Sequence, residues 1–152
     1  MIEGVIVKSL VVNCDARGTL TELFRSDGIP AGLFPVMAYI SVTKPGIGRG
    51  PHEHREQTDT FAFVGPGRFR IWLWDARTDS PTRGAHMTFE AGVGHPTLII
   101  VPPGVIHGYK NVSDEDGMVL NFPDRLYAGP GKKGPVDEIR HEDGPGGLYP
   151  MG

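Results

Sequence analysis

No convincing window of ten residues in this chain carries apolar side chains at i, i+3, i+4 and i+7, the pattern an amphipathic helix needs. The apolar residues fall instead in short runs, at 4–12, 36–43, 58–64, 68–74, 97–101 and 117–122. These runs are rich in Val, Ile, Phe and Trp and are bounded by Gly, Pro, Asn or Asp, the signature of strands joined by turns. Run 68–74 alternates most plainly, with Arg68, Arg70, Trp72 and Trp74 on one face and Phe69, Ile71 and Leu73 on the other. Turn formers are abundant: 22 Gly and 14 Pro in 152 residues, about twice average usage. Gly65-Pro66-Gly67, between two runs, predicts a tight hairpin. Many short strands with Gly/Pro turns predict one all-β domain, a sandwich or a barrel.

Charge and cysteine narrow the function classes. With 15 Lys and Arg against 18 Asp and Glu, the net charge of −3 argues against a nucleic-acid partner. No apolar stretch approaches the roughly 18 residues of a membrane span. Met1-Ile2-Glu3-Gly4 lacks the basic region and apolar run of a signal peptide. A cytoplasmic protein without membrane or nucleic-acid partners is the expectation. Cys14 stands alone, so neither an internal disulfide nor a cysteine zinc cage is available. Residues 128–152 carry 11 Gly or Pro. They are expected to form a tail packed as a strap on a barrel of residues 1–127, with Ile139, Leu148 and Tyr149 as anchors.

The chemistry-bearing residues are histidines. In a strand, His52 and His54 project to one face, and Arg49 just before them adds a fixed positive charge. Either they share a pocket, or the polar run Gly48 to Glu56 is a solvated loop. His107 follows the apolar run Leu98 to Val101 and a Pro-Pro-Gly turn. By itself it reads as a core histidine bonded to a backbone carbonyl.

Two motifs bear on these alternatives. Gly46, five residues, then His52-Glu53-His54, and Pro102-Pro103-Gly104, then His107 and Asn111, resemble the paired signatures of the cupin superfamily. In the first, Asp59 or Gln57 lies nearest to the expected glutamate. The resemblance implies a jelly-roll antiparallel β-barrel with these side chains inward. A narrower resemblance runs along most of the chain: Asp15-Ala16-Arg17-Gly18 with Glu22 and Phe24, Ser41-Val42-Thr43, Arg49-Gly50-Pro51-His52, Asp75 to Gly84, Pro103 to Tyr109, then Tyr127, Asp143-Gly144-Pro145 and Tyr149-Pro150. In this order they are similar to the dTDP-4-dehydrorhamnose 3,5-epimerases.

That family moves protons beside the ketone of a nucleotide-linked 4-keto-6-deoxyhexose, and the resemblance implies no metal and no cofactor. By its motifs His52 is the base. Arg17 and Arg49 contact the diphosphate or sugar, and His54 and His107 position the substrate. The family's acid tyrosine falls on Asn121, which leaves Asn121 a substrate contact and makes Tyr39 the candidate acid, with Tyr109 and Tyr127 as alternatives. The family's pocket lysine, expected near Thr60, is absent. Met37-Ala38-Tyr39 stands where the family has Gln-x-Asn. The family's C-terminal aspartate lies beyond Gly152, so Asp143 substitutes only if the tail folds back. Further readings are a sugar 3,4-ketoisomerase, a metal-dependent cupin using His52, His54, His107 and Asp59, and a sugar-binding member without turnover. The resemblance also implies a homodimer, to which the N-terminal strand, Val5 to Val12, contributes.

Overall fold

The structure is a computed structural model that describes residues 1–142 and 147–152. It is built from strands β1 (Ile6–Ser9), β2 (Val12–Asp15), β3 (Gly18–Thr21), β4 (Tyr39–Thr43), β5 (Gly48–Glu53) and β6 (Asp59–Phe63). It continues with β7 (Arg68–Asp75), β8 (His86–Gly92), β9 (Thr97–Val101), β10 (Val105–Asn111), β11 (Gly117–Asn121) and β12 (Ile139–Arg140). The only helical element among the described residues is a single 3-10 turn, Pro130–Lys132. One five-stranded sheet runs β1-β9-β6-β11-β4 and a second runs β12-β5-β10-β7-β8, while β2 and β3 form a separate hairpin. All the pairings are antiparallel, so the chain folds as a two-sheet all-β barrel of the jelly-roll type.

The period-2 pattern decides which side chains face inward. Phe69, Ile71 and Leu73 on β7 are buried, and they meet Phe61, Phe63, Ile99 and Val119 from the facing sheet. The aromatic rings of Phe61, Phe63, Phe69 and Tyr109 pack at centroid separations of 5.4–6.0 Å. Burying such side chains is the main favourable term for a chain without helices.

Three expectations need correction. Gly65-Pro66-Gly67 does not close a hairpin. It carries the chain from β6 in one sheet to β7 in the other, and Gly67, at φ 86°, lies so near the neighbouring chain that a Cβ would sit 2.5 Å from Gly117 Cα. The run 4–12 is two strands, because Leu10 turns inward, is buried and bonds its amide to the Pro96 carbonyl. In the tail, Ile139 pairs with β5 and Tyr149 packs on Trp74, but Leu148 is 87% exposed and anchors nothing. Strand β8 escaped the sequence reading, because His86-Met87-Thr88-Phe89-Glu90 dilutes its apolar positions with polar ones on the solvent face.

The loop after β7 is organised by one buried carboxylate. Asp75 accepts bonds from Arg77 Nε at 2.8 Å, Arg77 Nη2 at 2.9 Å and the hydroxyls of Ser80 and Thr82. Arg77 in turn donates to the Glu3 carbonyl, tying the N-terminus to the loop. The guanidinium above all, and the hydroxyls after it, hold Asp75 well below the usual carboxylate range. Asp75→Ala should cost about 2–4 kcal/mol at neutral pH in urea unfolding, since it strands buried donors and Arg77. The folded-state value lies below the unfolded one, so this stabilisation is present above about pH 4 and is lost as pH falls through the folded value. The gap between wild type and variant should therefore narrow in acid; a gap that widened would contradict this assignment.

Candidate active site

The two histidine segments meet as neighbouring strands. β5 and β10 pair antiparallel, with His52 opposite His107 and Arg49 opposite Tyr109, and the register breaks between them. Gly50, at φ 83°, makes this approach possible: a Cβ there would stand 2.6 Å from the His107 carbonyl oxygen and 3.1 Å from His52 Nδ1. His52 and His54 turn to the same side, their ring centroids 5.5 Å apart, and both line a cavity of about 910 Å³. The solvated-loop reading is thereby excluded. His107 is indeed a buried histidine whose Nδ1 donates to a backbone carbonyl, that of Val105 at 3.0 Å, but its ring also stands 4.4 Å from that of His52.

Asp59 reaches these imidazoles from the opposite sheet. It is 1% exposed. Its Oδ1 accepts from Gln57 Nε2 at 2.9 Å and from Asn121 Nδ2 at 2.8 Å. Its Oδ2 lies 3.1 Å from His54 Nε2 and 3.2 Å from His107 Nε2. His54 Nδ1 donates to the carbonyl of Asp137, whose carboxylate accepts the backbone N–H groups of Arg55, Glu56 and Gln57. Sequence spacing gave no sign of Asp137, which sits 80–83 residues from its partners.

These contacts give neighbouring imidazoles opposite characters. Burial resists a charge on His54, but the bond to Asp59 and the Asp137 carbonyl outweigh it and raise its pKa. Burial likewise resists a charge on Asp59, and the approach of His107 and His54 to its Oδ2 overcomes that and holds its pKa far below the ordinary carboxylate range. His52 has no hydrogen bond to another group among the described residues. Burial, with His107 and His54 alongside, pushes it down to about 3. It is therefore neutral at neutral pH and keeps a lone pair available.

The remaining candidates fall in three places. Tyr39 and Arg49 line the cavity with His52 and His54. Tyr39 accepts a bond from Asn121 Nδ2 at 2.8 Å, and desolvation pushes the phenol up to about 12. Arg49 is braced by Thr43 Oγ1 and the Val42 carbonyl. His107 and Asn121 are buried behind the wall, at 3% and 1% exposure. Arg17 is exposed on the β2–β3 hairpin, bonded to Asp15, and does not line this cavity. Of the alternative tyrosines, Tyr109 bonds Ser41 inside the barrel and Tyr127 lies half-exposed on the cavity wall. Asn111 supports structure, bonding the Thr43 and Glu115 carbonyls. Asp143 lies outside the described residues.

The raised pKa of His54 depends in large part on its carboxylate partner. Asp59→Asn should lower the His54 pKa, as burial is then opposed only by Asp137. An NMR titration of labelled imidazole nitrogens checks this; an unchanged or higher His54 pKa in the variant would contradict it.

Comparison with known proteins agrees with this geometry. Residues 1–135 match the family described as dTDP-4-dehydrorhamnose 3,5-epimerase. A probable low-salt glycan biosynthesis epimerase of Haloferax volcanii is 41% identical over 127 residues, covering 83% of this chain and 81% of the relative. A spore coat polysaccharide biosynthesis protein of Bacillus subtilis is 33% identical over 127 residues, covering 84% and 83%. The crystal structure of a dTDP sugar isomerase from Desulfovibrio desulfuricans superposes with a TM-score of 0.78 at 25% identity, covering 91% of this chain and 84% of that one. No helix among the described residues is long and apolar enough to cross a membrane. With its two histidine strands side by side and the match spanning most of its length, this chain belongs to the dTDP-4-dehydrorhamnose 3,5-epimerase family.

Proposed function

We propose that the protein epimerises a nucleotide-linked 4-keto-6-deoxyhexose at C3, C5 or both, with His52 as base and Tyr39 as acid, in the assembly of a deoxysugar-containing glycan. The observation that carries this reading is a neutral imidazole, with no ring hydrogen bond among the described residues, sharing a cavity wall with a tyrosine. His52 takes the proton from the carbon beside the ketone, and the bond electrons move onto the carbonyl oxygen. Arg49 keeps N–H groups beyond its two bracing bonds, and these stabilise the developing enolate or the diphosphate. An imidazole pushed so low is a weak base in the empty cavity. The negative charge of the bound diphosphate and enolate compensates the imidazolium as it forms and raises its basicity.

Hydrogen-bond direction supports Tyr39 as the acid. A carboxylate only accepts, so Asn121 must turn its NH2 edge to Asp59, and the same nitrogen donates to Tyr39 Oη. The phenol hydrogen is then available to the substrate, and the Asn121 N–H is in place to stabilise the phenolate. This orientation leaves Asn121 Oδ1 buried without a partner among the described residues, a cost the network bears.

Two further readings complete the proposal. The protein acts in the cytoplasm, and it is a homodimer. Exposed Ile6 and Val7 on the edge strand β1 support the dimer. Arg17, which does not line its own chain's cavity, would meet substrate in a partner's. Light scattering should give twice the chain mass.

The deciding experiment is NMR in deuterated water over a panel of nucleotide-linked 4-ketosugars. Wild type should exchange hydrogen for deuterium beside the ketone with inversion. His52→Ala should abolish exchange. Tyr39→Phe should retain exchange and lose inversion by at least about a hundredfold. No exchange with any such sugar would overturn the epimerase reading, and a keto group migrating to C3 would replace it with ketoisomerisation. That second reading is favoured by His54 standing beside His52.

A further inference from the structure

Two successive levels of the cavity wall carry different chemistry. On β5 and β10, His52 stands opposite His107 and Arg49 opposite Tyr109, at the next inward position. On β4, in the other sheet, Tyr39 and Ser41 are alternate residues, so they share a face, and both line the cavity. Cross-sheet bonds fix which faces which. Asn121 and Asp59 tie Tyr39 to the imidazole level. Ser41 bonds Tyr109, and Thr43 and Val42 bond Arg49, at the level beyond. Alternate strand positions lie roughly 6.5–7 Å apart, a distance that a hexose ring with its substituents bridges. The base and the acid thus occupy one level, and the next holds Arg49, Tyr109 and Ser41.

The two hydroxyls on that second level form a directed pair. Tyr109 Oη and Ser41 Oγ are 3.0 Å apart, and neither has another partner among the described residues. Two hydroxyls carry two hydrogens and the bond between them uses one, so the other stays available. The Tyr109 ring is 6% exposed and is wedged among Phe61, Phe63 and Phe69 at centroid separations of 5.4–6.0 Å, which fixes its oxygen. Burial raises its pKa, so the phenol keeps its hydrogen. A phenol is the stronger donor of the two. Tyr109 therefore donates to Ser41, and the hydrogen of half-buried Ser41 is the one left for the cavity.

We propose, on the footing of the epimerase reading above, that Ser41 donates this hydrogen to the ketone oxygen of the substrate, and that Tyr109 is the positioning residue that aims it. As His52 removes the proton, the C–H electrons form the new C=C bond and the carbonyl π electrons move to oxygen. The oxygen gains charge and its bond from Ser41 tightens; no proton leaves Ser41. An interaction that strengthens with the developing charge lowers the barrier more than it stabilises bound substrate. The bond from Tyr109 polarises the Ser41 hydroxyl in the same sense. Arg49, on the same level, adds a fixed positive charge.

The test is a double-mutant cycle read by hydrogen–deuterium exchange beside the ketone. Ser41→Ala should lower the maximal exchange rate about 10²–10³-fold, the usual loss for one oxyanion donor. Ser41→Thr, which keeps a hydroxyl, should restore most of it. Tyr109→Phe should lower the rate about tenfold in the presence of Ser41 and not at all in the Ser41→Ala background, since its effect passes through Ser41. Calorimetry with the sugar-free nucleoside diphosphate of the exchanging substrate should give affinities within about twofold of wild type, and urea unfolding will identify any variant that fails to fold. Wild-type exchange rates in Ser41→Ala would overturn the proposal while leaving the epimerase reading intact. So would a Tyr109→Phe loss of equal size in both backgrounds, which would make Tyr109 act directly, or a loss of nucleotide affinity in step with rate, which would make the pair a structural tie. Absence of exchange in wild type would overturn the epimerase reading and this proposal with it.

Discussion

Asp59 brings a negative charge into the barrel, and much of the site is arranged around neutralising it. The carboxylate leaves β6 in one sheet and meets imidazoles carried by the other, so it is also a polar tie across the interior. An unpartnered carboxylate at that depth would cost several kcal/mol. Two neutral donors, Gln57 and Asn121, hold one oxygen, and two histidines face the other. This arrangement fixes ring orientations that packing alone would leave loose. Phe61, packed on His107 at 5.5 Å and on Tyr109 at 6.0 Å, joins this polar end of the interior to the aromatic cluster.

From that tie follows the difference between two histidines a residue apart. His54 is bonded at both ring nitrogens and carries the higher pKa. His52 lies on β5 opposite Arg140 of β12, and among the described residues no carboxylate is bonded to its ring. The sequence repeat His-x-His is thus chemically asymmetric. One member is held by the carboxylate with its pKa raised, and the other keeps a lone pair at the cavity wall. A base needs that freedom, and the supporting bonds on its neighbours keep the lone pair from being consumed inside the network.

How much of this is legible in the sequence depends on range. Period-2 alternation in 68–74 identified the buried face of β7 correctly, because side-chain direction in a strand is a local property. The same rule put His52 and His54 on one face, and the motif spacing of His107 brought it to them. What failed was long-range or diluted. A turn between sheets and a turn within one have the same Gly-Pro-Gly chemistry, so Gly65 to Gly67 read as a hairpin. Strand β8 was hidden by polar residues on its solvent face, and Leu148 carried apolar character without any neighbour to bury it. Asp137 holds the loop after β5 through three backbone amides, a relation no spacing encodes.

The position of Asp137 also bears on how the chemistry could be tuned. Its carbonyl fixes the His54 tautomer while its carboxylate clamps residues 55–57, so the segment before β12 controls both the ring and the loop carrying Gln57. Gln57 in turn holds Asp59. A shift of this one segment would therefore loosen His54, Gln57 and Asp59 together. The backbone contacts of Asp137 thus order His54 and Gln57 on the same cavity wall as His52 and, through Gln57, Asp59 behind it.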